Sequence, residues 1–333
     1  MSTQPKISII MPVLNRGSTI EKAIKSVISQ SYKNFELIIL DGGSTDTTLD
    51  VIRKYEPYIT YWHSQHDGNP CIAVNTGIRR ATGDLVAILM SDDFYEPDVL
   101  KKVAEALTNN PDADIITCGG RIIFLDKTTN TYKIKRIYSS QEELELNFHN
   151  VCHGVSAICC RFIRKSLYQN IGTFIEVDAT GKMPHSNDKE FLLRAIVHGV
   201  KNVTIDYIGH NYLSHSDSLT FNNGREITVK LYIQHMWITE MYLARKDLTN
   251  EQRRILTNFQ HHQSARLAFY YLYKQRYKDA FAIIKKDLPR HHVKWLFSFF
   301  TAAPDFFRRK MIQHIRDLYR KLTGSDVVYG KAK

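Results

Sequence analysis

The chain has 333 residues, 43% of them hydrophobic, which excludes a disordered protein and is enough for one large core or two smaller ones. Its formal net charge of +11 is uneven: residues 227–333 hold 21 Lys and Arg against 8 Asp and Glu, whereas residues 1–226 hold 24 against 26. None of the five cysteines lies in a C-x-x-C pair, so they do not predict a zinc site and indicate reduced thiols.

Short apolar runs alternate with amphipathic helical patterns in the first hundred residues. The predicted elements are strand Ile7–Val13, a helix opened by a capping box at Ser18–Glu21, strand Phe35–Leu40, a helix ending at Tyr55, strand Ile59–Ser64, helix Ile72–Ala81 and strand Leu85–Met90. Short connections between alternating strands and helices predict right-handed βαβ units. The sequence therefore predicts an α/β fold with a parallel sheet covered by helices.

A mixed region follows this parallel part. A helix opened by Pro97, a strand Ile115–Cys118 and a hairpin of Arg121–Leu125 with Tyr132–Tyr138 are predicted there. From Ile227 onward proline and glycine nearly vanish and long helical patterns dominate. We expect two domains, an α/β domain at 1–225 and a basic α-helical region at 226–333.

Polar residues follow the predicted strands, where open α/β sheets bind ligands. Asp41, in a Gly-rich loop, offers an acceptor for a base N–H, and its glycines allow close backbone approach. The adjacent carboxylates of Asp92 and Asp93 suit a divalent cation that bridges a pyrophosphate. Taken alone, the first loop is more simply explained as a turn with a helix cap, and an N-cap ahead of Pro97 explains the second loop equally well.

Four segments in fixed order carry a resemblance to a known family: ISIIMPVLNR at 7–16, SVISQSYKNFELIILDGGSTD at 26–46, NTGIRRATGD at 75–84 and SDD at 91–93. Together they resemble glycosyltransferase family 2, in the DGGSTD-containing, bacterial surface-glycan type. The resemblance covers Lys6 to Asn223 and implies a GT-A fold, a mixed sheet of the nucleotide-diphospho-sugar transferase type. Two departures are Gly42, where relatives have a second Asp, and Met90, where relatives have the first Asp of Asp-x-Asp.

The resemblance also implies site residues. Nucleotide-sugar contacts fall on Pro12, Val13, Leu14, Asn15, Asp41, Gly43, Ser44, Asp67, Asn75, Ser91 and Asp92. Asp93 and Asp92, with His215 as a further candidate, would hold Mn²⁺ or Mg²⁺, and His153 would lie on the acceptor side. In a chain with 14 histidines, a solvated or hydrogen-bonded side chain is the simpler explanation of His153 and His215. Asp188, at a helix start where Asn187 and Glu190 predict a capping pair, would be the catalytic base. Glu190 is the alternative base, and a first-turn acid complementing the helix dipole is the simpler explanation of Asp188.

The expected activity is inverting, metal-dependent transfer of one sugar from a nucleotide diphosphate, UDP favoured, to a glycan or lipid-linked acceptor in surface polysaccharide biosynthesis. A catalytically silent sugar-nucleotide-binding module is the alternative. A basic nucleic-acid-binding protein ranks lower, because no helix-turn-helix, zinc-finger or RNP pattern accompanies the charge. We therefore expect no nucleic-acid partner.

The basic region mixes aromatic and cationic residues between Lys294 and Lys321. This composition suits an anionic membrane surface, and a helical bundle or a homo-oligomer contact explains it as well. No signal peptide pattern is present, and the apolar run Trp295–Ala303 is far shorter than a spanning helix requires. We expect a cytoplasmic protein that attaches peripherally to the inner face of the plasma membrane.

Overall fold

The computed structural model describes residues 4–126, 128–177, 184–215 and 225–286. Contacts between Cα atoms divide the chain into two compact units, Met1–Ile227 and Thr228–Lys333. The first unit holds the sheet and all the candidate site residues, whereas the described part of the second is helical.

The first unit is built on a mixed sheet that has nine strands among the described residues. The strands are β1 (Ile7–Val13), β2 (Phe35–Asp41), β3 (Tyr61–Ser64), β4 (Leu85–Ile88), β5 (Phe94–Tyr95), β6 (Ile115–Asp126), β7 (Thr131–Tyr138), β8 (Arg161–Arg164) and β9 (Asn202–Leu213). The helices are α1 (Ile20–Ile28), α2 (Thr48–Lys54), α3 (Pro70–Arg80), α4 (Val99–Asn109), α5 (Gln141–Leu144), α6 (Phe148–His153), α7 (Lys165–Ile171) and α8 (Asn187–Val197). The predicted α/β class is confirmed.

Strand order creates a switch point in this sheet. The strands lie in the order β3-β2-β1-β4-β8-β6-β9-β5, and β7 pairs with β6. Strands β3, β2, β1 and β4 are parallel, and β8 runs antiparallel to both β4 and β6. The chain builds outward from β1 to β3 on one side and resumes with β4 on the other. Ligands of open α/β sheets bind at such a reversal, outside the carboxyl ends of the strands.

Strand β1 is buried along its whole length because helices cover both of its faces. Ile9 lies in the same apolar cluster as Ile24 of α1, and both are fully buried. On the opposite face, Ile10 packs against α3 at Gly77, where an added Cβ would lie 2.5 Å from Cγ2 of Ile10. The missing side chain of Gly77 therefore sets how closely α3 approaches the sheet.

The two predicted helix-capping arrangements are wrong. Helix α1 begins at Ile20 with no side-chain cap, and Oε1 of Glu21 instead accepts hydrogen bonds from Tyr55 (2.7 Å) and Lys54 (2.8 Å). Glu21 thus ties α1 to the end of α2. Helix α8 also lacks a side-chain cap, because its Glu190 is paired with Arg194 at 2.7 Å.

Two further predictions need correction. Pro97 does not open a helix: α4 begins at Val99, after Asp98, whose φ of 62° lies in the left-handed region. The strand predicted at Ile115–Cys118 and the hairpin arm predicted at Arg121–Leu125 are one continuous strand, β6. Gly120 makes this possible, since a Cβ there would lie 2.6 Å from the phenol oxygen of Tyr138 in β7.

The described part of the second unit consists of α9 (Arg225–Leu243), which starts just before the unit boundary, α10 (Asn250–Tyr273) and helical residues 277–286. Thr249 and Gln252 form a complete capping box at the start of α10. Ala265 and Ala268 pack against Ile283 and Ile284. Within the described ranges, no helix has the length and apolar character needed to cross a bilayer. The aromatic and basic residues between 294 and 321 lie outside these ranges.

Candidate active site

The segments that follow β1, β4 and β9 meet at the carboxylate of Asp92. Its Oδ2 lies 2.9 Å from Nε2 of His215 and 3.5 Å from Nε of Arg16. The side chains of Asp92 and His215 are 18% and 24% exposed, so both can be reached from solvent. A carboxylate, an imidazole and a guanidinium therefore converge at the switch point of the sheet, where they can act on a cation and on an anionic group together.

Asp93 lies beneath this group and is 1% exposed. Its Oδ1 accepts a hydrogen bond from the backbone N–H of Leu213 at 3.0 Å, and its Oδ2 lies 3.2 Å from Nε2 of His210. The latter contact is an ion pair without the alignment of a hydrogen bond. Burial raises the pKa of Asp93, and His210 offsets part of that rise.

Cys159 connects the aspartate pair with the acceptor side. It lies in a one-turn 3-10 helix, Ile158–Cys160, which starts after Ala157, a residue with a φ of 47°. Burial raises the pKa of the Cys159 thiol well above its ordinary value, and the charges of Asp93, Asp188 and Asp92 add to the rise. The thiol of Cys159 thus lies within electrostatic range of Asp92, Asp93 and Asp188.

Asp41 organises the loop after β2. It is 1% exposed, and its carboxylate accepts hydrogen bonds from the N–H of Gly43 (3.1 Å), the N–H and hydroxyl of Ser44 (2.9 and 2.5 Å) and the hydroxyl of Ser64 (2.6 Å). The carboxylate oxygens of Asp41 are thus used by hydrogen bonds from nearby residues. In this conformation Asp41 shapes the loop and does not face a nucleotide base.

The loop after β1 is fastened to the same structure. Asn15 adopts a φ of 51°, its N–H donates to Oγ of Ser44 at 2.7 Å, and its Oδ1 accepts from the N–H of Thr45 at 2.9 Å. Pro12 and Val13 are the last residues of buried β1, whereas Leu14 is 51% exposed. The two loops therefore form one hydrogen-bonded wall of the cleft.

Glycines bring this wall close to the loop after β3. Gly43 has a φ of 89°, and a Cβ at Gly42 would lie 3.1 Å from Oδ1 of Asp67. Asp67 is half-buried, and burial raises its pKa. Gly42, a departure from the family pattern, thus leaves space that the Asp67 carboxylate occupies.

Helix α3 is bound to the segment that precedes α8. Nδ2 of Asn75 donates to the carbonyl of Phe174 (2.8 Å) and to Oε1 of Glu176 (3.0 Å), while its Oδ1 accepts from the N–H of Phe174 (3.0 Å). Nδ2 of Asn69 donates to the carbonyl of Glu176 at 2.5 Å. Asn75 is predicted to line the cleft. In the structure its side chain is 1% exposed, and its amide is hydrogen-bonded to residues 174 and 176.

Asp188 lies in the first turn of α8 and is half-buried. Its Oδ1 accepts the N–H of Lys189 at 2.8 Å, and Nζ of Lys189 donates to the carbonyl of Val151 in α6 at 2.5 Å. Glu190, the alternative base, is 3% exposed, and Arg194 binds both of its carboxylate oxygens, at 3.1 and 2.7 Å. Of the two acids, Asp188 is the more exposed, whereas Glu190 is buried and held by Arg194.

The remaining predicted residues occupy separate positions. Ser91 is buried beside Asp92. His153, at the end of α6, is exposed, and its ring centroid lies 5.1 Å from that of His149. Arg16, Cys159 and His210 have no role predicted from the sequence. Only the pairing of β5 with β9, 115 or more residues apart, brings His210 to Asp93, and no local pattern signals that contact.

The residues around Asp92 fit a hard divalent cation. Carboxylate oxygens suit Mg²⁺ and Mn²⁺, and an imidazole nitrogen can complete such a set. Asp92 and His215 present one of each, 2.9 Å apart and open to solvent. Oδ2 of Asp93 is buried without an aligned hydrogen bond, which leaves a lone pair for a ligand.

The sheet order, the switch-point cleft and the aspartate pair after β4 together define a GT-A fold. The sequence profile described as "Glycosyl transferase family 2" matches residues 8–172. A protein of Mycobacterium tuberculosis named an uncharacterized glycosyltransferase is 31% identical over 201 residues, which cover 59% of this chain and 70% of that protein. The chain belongs to glycosyl transferase family 2, as its four motifs predict.

Other relatives extend further than the matched region. An uncharacterized glycosyltransferase of Rickettsia typhi is 30% identical over 188 residues, which cover 56% of this chain and 58% of that protein. The chain thus spans just over half the length of this relative.

Solved structures agree on the fold. Staphylococcus aureus TarS in complex with UDP-GlcNAc superposes with a TM-score of 0.54 at 17% identity, over 90% of this chain and 82% of that one. The mannosyltransferase PcManGT from Pyrobaculum calidifontis, in complex with GDP-Man and Mn²⁺, gives a TM-score of 0.55 at 15% identity, over 97% and 84%. Both likenesses bear on the fold, and the GT-A prediction is confirmed.

Proposed function

We propose that this protein transfers one sugar from a nucleotide diphosphate donor, UDP-linked by preference, to a glycan or lipid-linked acceptor, with inversion at the anomeric carbon. The observation that carries the proposal is the convergence of Asp92, His215 and Arg16 at the sheet switch point. Family membership supports it, as do the UDP-GlcNAc bound by TarS and the GDP-Man and Mn²⁺ bound by PcManGT.

We assign the donor side to the wall formed by Asn15, Asp41 and Ser44. Its buried hydrogen bonds fix the backbone before a nucleotide arrives, so little ordering is needed on binding. Asp92, Asp93 and His215 would hold Mn²⁺ or Mg²⁺, which supplies positive charge to the departing diphosphate. Arg16, 3.5 Å from Asp92, adds a fixed positive charge at the same place.

We assign the acceptor side to Asp188. Its carboxylate takes the proton of the acceptor hydroxyl as that oxygen forms a bond to the anomeric carbon and the bond to the diphosphate breaks. A single displacement of this kind inverts the configuration. Lys189, anchored to the carbonyl of Val151, keeps the first turn of α8 against α6 and so keeps the base in position.

We also propose a cytoplasmic setting with peripheral attachment to an anionic membrane surface and a role in surface polysaccharide synthesis. The net charge of +13 in residues 227–333 supports attraction to anionic lipids. Binding to anionic vesicles but not to neutral ones, weakened by salt, tests this part separately.

Calorimetric titration of UDP-, GDP-, CDP- and dTDP-linked sugars, with and without Mn²⁺, tests the donor site. We expect one nucleotide to bind in the presence of metal and Asp93→Ala or Asp92→Asn to abolish that binding. Glu105→Gln, an exposed change on α4, is the matched control and should bind as the wild type does. Absence of binding for every donor would refute the proposal, and binding without turnover of any acceptor would favour a silent module.

A further inference from the structure

Asp93, Cys159 and His210 form a compact cluster beside the proposed donor site. One ligand atom from each, a carboxylate oxygen, Sγ and a ring nitrogen, lies within 4.8 Å of the other two. Three segments far apart in sequence supply them: the loop after β4, the turn before β8 and the middle of β9. Strand pairing fixes the positions of Asp93 and His210. Tyr95, which lies two residues after Asp93, pairs with His210 where β5 meets β9.

The buried polar atoms of His210 and Asp93 are only partly satisfied. Neither ring nitrogen of His210 makes an aligned hydrogen bond, nor does Oδ2 of Asp93, and both side chains are 1% exposed. Buried polar groups in proteins are almost always hydrogen-bonded or bound to an ion. The 3.2 Å contact between His210 and Asp93 engages one nitrogen at most.

We propose that Asp93, Cys159 and His210 bind a thiophilic divalent cation, for which Zn²⁺ is the probe. A thiolate, an imidazole and a carboxylate are the ligands of tetrahedral zinc, whereas Mg²⁺ and Mn²⁺ prefer oxygen. Zinc bonds of about 2.0–2.3 Å space tetrahedral ligands about 3.3–3.8 Å apart, so the cluster needs to contract by no more than about 1.5 Å. The cation displaces two protons, one from the thiol of Cys159 and one from the imidazolium of His210, and both pass to solvent.

This site goes beyond the proposed transfer and has a consequence for it. The Asp93 carboxylate is also proposed for the hard cation, and its Oδ1 is already used by the N–H of Leu213. A thiophilic cation would therefore compete with Mn²⁺ for Oδ2 of Asp93 and oppose donor binding. That consequence rests on the proposed function, whereas cation binding by the cluster does not.

Titration of the full chain with Co²⁺ tests the site through the near-ultraviolet thiolate-to-cobalt charge-transfer band. We expect the wild type to show the band at one equivalent and to lose it when Zn²⁺ is added. Cys159→Ser should remove the band and weaken Zn²⁺ binding by more than about 10-fold. Cys152→Ser, a matched change at another buried cysteine in α6, should leave both unchanged.

Absence of the band in the wild type, or its persistence in Cys159→Ser, would overturn the proposal. If Cys159→Ser does not fold, alkylation of the wild type decides: Zn²⁺ should protect Cys159, mapped by peptide mass, and equal modification with and without Zn²⁺ would contradict the site. UDP-sugar binding in Mn²⁺ is measured on a separate portion of the same preparation, to which neither Co²⁺ nor Zn²⁺ has been added. If the protein binds the UDP-sugar but shows no cobalt band, only the thiophilic cation site is refuted. If it shows the band but binds no UDP-sugar, only the proposed function is refuted.

Discussion

Glu36 in β2 offers a stability test that is independent of catalysis. It is 4% exposed, yet its carboxylate accepts hydrogen bonds from the hydroxyl of Ser8 (2.6 Å) and from the N–H and hydroxyl of Thr82 (2.6 and 2.7 Å), and Nζ of Lys6 lies 2.9 Å away. Burial acts to raise the pKa of Glu36, but these donors outweigh it and lower the pKa to about 2. The folded state therefore favours the charged form.

The effect of Glu36→Gln on unfolding free energy follows from this shift. A pKa about 2.3 units below the ordinary 4.3 corresponds to about 3 kcal/mol at pH 7. Because the folded pKa is depressed, the contribution is complete above the unfolded pKa and is lost as pH falls through the folded one. It should be about 1.4 kcal/mol at pH 3. Wild type and variant should thus converge on acidification.

Urea unfolding between pH 3 and pH 8 provides the assay. Fluorescence of Trp62, in a background carrying Trp237→Phe and Trp295→Phe, reports the first unit alone and avoids mixing two transitions. Glu105→Gln removes an exposed charge and should change stability by less than about 0.5 kcal/mol. A difference between wild type and Glu36→Gln that does not change with pH would show that the carboxylate charge is not what stabilises this network.

Four further substitutions test the cleft. Asp188→Asn should lower kcat by about 10²–10⁴ with donor affinity unchanged, whereas Glu190→Gln should mainly lower stability; kinetics, calorimetry and melting curves together separate the two. Gly43→Ala should cost about 1–3 kcal/mol, because its φ of 89° strains an L-residue, and donor titration should show weaker binding. Asn75→Asp should cost about 1–3 kcal/mol in urea unfolding, since a carboxylate would face Glu176 in place of a donor; an unchanged midpoint would contradict the clamp.

Periodicity predicted the alternating half of the fold because its signals are local. Buried strands such as Ile7–Val13 and the inward stripe of α1 follow from apolar spacing within ten residues. Helix starts were predicted less well, because other side chains competed for the capping residues, from a neighbouring helix in one case and from the next turn of the same helix in the other. Glu21 bonds to α2 and Glu190 to Arg194 instead of capping their own helices.

The candidate site, like the fold, was predicted where its signals are local and missed where they are not. Motif order located Asp92 and Asp41, but their partners depend on contacts between distant segments. His215 reaches Asp92 across 123 residues, and His210 is brought beside Asp93 by strand pairing. The amide of Asn75 and the carboxylate of Asp41 are hydrogen-bonded to neighbouring backbone groups and do not point into the cleft. Sequence alone cannot distinguish a side chain that lines a cleft from one that builds its wall.

The bonds between α3 and the segment before α8 limit how this enzyme scaffold can be recombined. Asn69 and Asn75 hold residues 174–176, and Nδ2 of Asn187 contacts Sγ of Cys71, so α3 is joined at several points to α8 and to the segment before it. A chimera that takes residues from 173 onward from another family member would sever all of them. We therefore expect such a chimera to fold and to exchange acceptor specificity only when residues 69–75 come from the same relative as the segment from 173 onward.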